Sequence, residues 1–117
     1  MAELTVQPVT KAGIADLLGA LAAAAAAGDS VVSASGLLLV VNNADASPHT
    51  VTIPAPVDTT VAGSYGEVDV DDMTLVVAAG DAGAITIPLG YVSGAGVFSW
   101  TYDDVTDVTV GVFSLAP

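Results

Sequence analysis

Glu67, Asp69 and Asp71 alternate along the chain, an arrangement that would put three carboxylates on one face of a strand. Hard cations such as Ca²⁺ are held by several such oxygens, and paired carboxylates also serve glycoside hydrolysis. The stretch Glu67 to Asp72 lacks the glycine and closing glutamate of an EF-hand loop. It therefore reads first as a solvated, charged edge that discourages wrong strand pairing. Asp103, Asp104 and Asp107 form a second acidic group, in a segment where aspartates accept from the amides of a turn. His49 is the only histidine. A Ser-His-Asp set is formally available, but no Gly-x-Ser-x-Gly elbow accompanies it, so His49, beside Pro48, reads as a surface or turn residue. The run Gly90 to Gly96 lacks the Lys-Ser/Thr ending and strand-to-helix context of a phosphate loop. It reads as a flexible loop that carries Tyr91 to a surface. Phe98, Trp100 and Tyr102 alternate onto one face, for which core packing is the first reading and an interface patch the second. No residue is assigned as catalytic, cofactor-binding or metal-ligating. The chain is read as a non-enzyme with no cofactor.

The charge balance narrows the partners. Thirteen acids face a single Lys, and the formal net charge is −12. Only Lys11 and a protonated His49 could neutralise phosphate, whereas nucleic-acid binding rests on clustered Lys and Arg. Nucleic acid is excluded on that ground, and an anionic membrane surface is disfavoured. Self-repulsion of this size favours solubility and opposes compactness, and a neutral or basic protein partner would relieve it. With no Cys, neither disulfides nor thiolate metal sites can form. Met1 to Leu4 does not read as the start of a signal peptide. The longest apolar stretch, Ile14 to Ala27, contains Asp16 and falls short of the roughly 20 residues of a membrane span.

These residues need a scaffold, and composition divides the chain near Gly28-Asp29. Residues 1–28 form an Ala-rich arm or short helix, and residues 29–117 a β-sandwich domain. Glu3 to Val9 alternates and contains Pro8, which suits an edge strand. Ile14, Leu17, Leu18 and Leu21 recur at helical spacing, but Gly13 and Gly19 weaken a helix there, so helix and extended arm both stay open. Leu37 to Val41 is a continuous apolar run fit for a strand buried on both faces. With the turn Asn42 to Ser47 and the strand His49 to Ile53 it reads as a hairpin. Glu67 to Val70, Met73 to Val77 and Ala84 to Pro88 are further strands. Val97 to Tyr102 and Val105 to Leu115 read as a last hairpin around Asp103-Asp104. Short strands with regular turn signals predict an all-β, antiparallel sandwich of jelly-roll or Ig-like type.

The order of these segments carries a resemblance. The small-residue segment Ala22 to Ser30 closes on Gly28-Asp29-Ser30. The apolar strand Leu37 to Asn43 follows, then Thr50 to Ile53, the turn Ala78 to Gly80, Ile85 to Leu89, and the closing segment Tyr102 to Val110. In this order the chain resembles the small head-decoration (cement-type) proteins of tailed bacteriophages, with a more Ala-rich beginning and a more acidic Glu67 to Asp72. The resemblance implies a β-sandwich virion component on the outer surface of the head, present in the host cytoplasm during assembly. Its implied partner is the major capsid protein, and a homo-oligomer, a trimer in the first instance, is implied with it. It transfers no site residues. Contacts between chains are expected from the first 30 residues. The alternative is a tail or fibre module that stacks a host glycan on Phe98, Trp100 and Tyr102. Carboxylate chemistry at Asp69 and Asp71 is a third reading.

Overall fold

The computed structural model describes residues 2–55, 71–92 and 96–115. They form ten short strands: β1 (Ala2–Leu4), β2 (Val6–Val9), β3 (Ala22–Ala23), β4 (Asp29–Val32), β5 (Leu37–Asn43), β6 (His49–Ile53), β7 (Met73–Val77), β8 (Ala82–Thr86), β9 (Val97–Tyr102) and β10 (Val108–Leu115). The first sheet has the order β1-β4-β9-β6-β7. The second has the order β2-β10-β5-β8, with β3 also paired to β10. The expected strand Glu67 to Val70 lies outside the described residues.

The pairings nest. β3 pairs β10, β4 pairs β9, β5 pairs β8 and β6 pairs β7, all antiparallel. A long antiparallel ribbon with β6 and β7 at its tip has thus been folded over into two layers, which is the jelly-roll arrangement. Of the two sandwich types open from sequence, the connectivity selects this one. The sheets are not purely antiparallel, because β1 runs parallel to β4 and β2 parallel to β10. The chain enters along an edge of the first sheet and passes at Thr5 to an edge of the second. The single edge strand expected over Glu3 to Val9 is therefore divided between two layers.

Two expected hairpins are arches instead. β5 lies in the second sheet between β10 and β8, and β6 in the first between β9 and β7. The turn Ala44 to Pro48 therefore crosses from layer to layer, as does Asp103 to Asp107 between β9 and β10. A turn composition that suits a hairpin suits an arch equally well. The choice falls to whichever partners bury both faces of the strand, and β5 gains more as a central strand than beside β6.

Between the layers lie Val31, Leu39, Val41, Val51, Ile53, Phe98, Trp100, Val110 and Val112, all essentially inaccessible. Burial of each large side chain contributes about 1.5–3 kcal/mol. The aromatic pair Phe98 and Trp100 belongs to this core, as the first sequence reading has it.

The Ala-rich segment is an arm with no α-helix. Its only helical feature is a 3₁₀ turn at Leu18–Ala20, after which β3 pairs with Thr109 and Val110. Gly13 and Gly19 interrupt the helical pattern, and the Ala methyls are too small to bury a helix face. The arm lies over the outer face of the second sheet. A Cβ on Gly111 would stand 2.7 Å from Leu21 Cδ2, and Phe113 is buried beside it. Gln7 Nε2 donates to the Ala20 carbonyl and ties the start of the arm to its end. Leu17 and Leu18 remain exposed.

Candidate functional site

His49 begins β6, and its side chain is only 4% exposed. It is neither a surface residue nor a loose turn residue, which corrects the sequence expectation. Its Nε2 lies 2.8 Å from Asp45 Oδ2 and its Nδ1 lies 3.3 Å from Asp103 Oδ1. These carboxylates come from two different interlayer turns, β5–β6 and β9–β10. Asp103 Oδ1 also accepts from the amides of Thr50 and Asp104. The hydrogen bond to Asp45 contributes most to raising the His49 pKa above its ordinary 6.5, and the bond and charge of Asp103 add to it against the opposing effect of burial. With both ring nitrogens held by carboxylates, no lone pair is free to take a proton from a serine, so the formal Ser-His-Asp reading has no geometry behind it.

A second polar network lies inside the first sheet. Trp100 Nε1 donates to the Tyr102 hydroxyl at 2.8 Å, and that hydroxyl donates to Asp29 Oδ2 at 2.5 Å. The amide of Ala25 also donates to Asp29 Oδ2. Burial first, and the Asp29 carboxylate second, push the Tyr102 phenol far above its ordinary value, so Tyr102 stays a neutral donor. The third aromatic is therefore a strut between Trp100 and Asp29.

Among the described residues no group of His, Cys, Asp and Glu could hold a metal ion. Glu67 and Asp69 lie outside those residues. Asp71 is exposed, and its carbonyl accepts from the Tyr91 hydroxyl at 2.8 Å, so Tyr91 braces the entry to β7. The turn reading of Asp103, Asp104 and Asp107 agrees with the geometry. Asp104 Oδ1 accepts from the amide and hydroxyl of Thr106, bonds that lower the Asp104 pKa. Asp107 adopts the left-handed conformation that aspartate tolerates, and its carbonyl accepts from Ala44.

Most of the described acids therefore gather at the ends of the sandwich. Asp45, Asp81, Asp103, Asp104 and Asp107 share the three turns of one end, where the Asn43 amide bonds the Asp81 carbonyl. Asp71 and Asp72 sit at the other. Between them, the described residues of β4, β9, β6 and β7 bring no charge to the outer face of the first sheet. Its cross-strand neighbours are Val32 with Val97, Ser30 with Ser99, Thr52 with Thr101 and Thr74, and Thr50 with Val76. Val32 and Val76 are more than half exposed. Among the described residues, Glu3 on the edge strand β1 brings a charge beside it. This face is the candidate functional surface, and the sequence reading missed it. Its signal was the outward half of each alternation, Thr50-x-Thr52, Thr74-x-Val76 and Ser99-x-Thr101, which passes for ordinary strand composition.

Comparison with protein-family models, with curated proteins and with solved structures returned no match.

Proposed function

We propose that this chain is a non-enzymatic structural protein of a tailed-phage virion, bound to the outer surface of the head through contacts with the major capsid protein. The observation that carries the reading is the outer face of β4, β9, β6 and β7, uncharged among the described residues, in a chain of net charge −12 whose described surface acids lie mostly at the ends of the sandwich. A face of Ser, Thr and Val can be desolvated against another protein without stranding a charge. The acidic ends then project beside it, toward solvent or toward basic groups of the shell. The order of segments that resembles the decoration proteins adds support, and the acidity suits a position away from packaged DNA. A homo-oligomer, with a trimer favoured, belongs to the same proposal. Exposed Leu17 and Leu18 supply apolar surface through which copies would meet.

The glycan-binding alternative draws no support from the aromatic residues, because Phe98 and Trp100 are inaccessible and Tyr102 is engaged by Asp29.

The test is co-sedimentation with empty capsids. The wild-type chain is expected to pellet at a fixed copy number per shell protein. Thr52→Glu and Val76→Glu are expected to remain in the supernatant with unchanged thermal unfolding. No pelleting by the wild type removes the virion reading, and undiminished pelleting by both variants removes the face.

A further inference from the structure

We propose that Asp45, His49 and Asp103 form a pH-operated latch that clamps the β5–β6 and β9–β10 turns together at one end of the sandwich. The reason lies in proton count. A neutral imidazole carries one N–H, whereas the contacts of 2.8 Å and 3.3 Å each place a carboxylate oxygen against a ring nitrogen. Only the doubly protonated ring donates to both. When the proton leaves, one carboxylate faces a nitrogen lone pair, and that turn loses its hold on a side chain that stays buried.

Asp45 comes from the β5–β6 turn. Asp103 comes from the β9–β10 turn, with Asp104 one residue further on and turned to Thr106. β7 places Val77 opposite His49. Asn43, at the end of β5, is neutral and faces the carbonyls of Ser47 and Val77. Asp81 and Asp107 reach this corner through their backbone carbonyls, which accept from Asn43 and Ala44.

The sign follows from the direction of the His49 shift. Its folded-state pKa lies above the ordinary 6.5. The stabilisation is therefore fully present below 6.5 and is lost as pH rises through the higher folded value. The chain has one His and no Cys, and ordinary Tyr, Lys and carboxylate groups titrate outside this window, whereas an α-amino group titrates within it and forms a background that His49→Gln leaves in place. The turns held by the latch carry Asp45, Asp103, Asp104 and Asp107, so opening it rearranges the acidic end of the molecule.

The experiment uses the full chain and the ring-proton resonances of its one imidazole. The proton shift of His49 is followed against pH, together with amide-exchange protection factors. The expected result is a midpoint above 6.5, with protection of residues 44–50 and 103–108 falling as pH crosses it while Val31 and Val110 stay protected. Asp45→Asn and Asp103→Asn are each expected to lower the midpoint, since Asn keeps an acceptor oxygen but not the charge. His49→Gln is expected to remove the pH step. Should that variant fail to fold, the wild-type titration and the two Asn variants still decide. A wild-type midpoint at or below 6.5, or protection of both turns unchanged through the titration, overturns the latch.

Discussion

Asn43 is inaccessible to solvent, yet its side-chain amide donates to the carbonyls of Ser47 at 2.8 Å and Val77 at 3.1 Å, while its oxygen accepts from the amide of Asp45. One amide thus shapes the β5–β6 turn and pins it to β7. Asn43→Ala is expected to cost about 1–3 kcal/mol for each carbonyl left bare, read as a lower urea midpoint. Asn43→Asp is expected to be worse, because it sets an acceptor against acceptors. Tyr102→Phe removes the hydroxyl that serves both Trp100 and Asp29 and is expected to cost about 1–3 kcal/mol, with Trp100 fluorescence reporting the change. Asp104 gives an acid-side signature. Its folded-state pKa is lowered, first by the Thr106 amide and then by the Thr106 hydroxyl. Its contribution is present above the ordinary 3.8 and lost as pH falls through the lower folded value. Thr106→Val is expected to flatten that limb of the stability profile. At this scale the sequence was legible where a residue acts on near neighbours, as in the Asp104 turn. It was not legible at His49 or Tyr102, whose partners Asp103 and Asp29 lie far along the chain.

At the scale of elements, two glycines show what local composition does and does not reveal. Gly28 has φ +97°, and a Cβ there would lie 2.5 Å from the Trp100 carbonyl oxygen. In sequence the residue marks only the point where composition divides the chain. Its actual work is to let the chain turn against β9 as it enters β4. Gly28→Ala combines the clash with a strained backbone and is expected to lower stability by at least about 1–3 kcal/mol, measured by thermal unfolding. At Gly111 the obstructing atoms are the Leu21 methyl and the Phe113 ring, which belong to the arm and the face it covers. Gly111→Ala is expected to loosen the arm while sparing the interlayer core, seen as faster proteolysis within residues 10–21. The strands were largely legible, because alternation and continuous apolar runs follow from the period of a strand. The arches were not. A turn sequence constrains a few dihedral angles, whereas the layer in which the next strand lies depends on which distant strands flank it.

Over the whole molecule, charge is the governing quantity. A net −12 opposes compactness by self-repulsion that salt screens. Raising ionic strength from about 0.01 M to about 0.5 M, across which the Debye length shortens several-fold, is expected to raise the unfolding midpoint. A midpoint that falls with salt would show that attractive contacts dominate instead. Composition by itself determined the sign of that field, the absence of thiol chemistry and the β character of the chain, because each depends only on which side chains are present or on their short-range period. Tertiary structure alone decided the rest. The nested pairings made the sandwich a jelly roll, the arches brought five aspartates and the one histidine to a single end, and β4, β9, β6 and β7 were left with an outer face of Ser, Thr and Val among the described residues. These are consequences of which residues far apart in sequence become neighbours, and no local pattern records that.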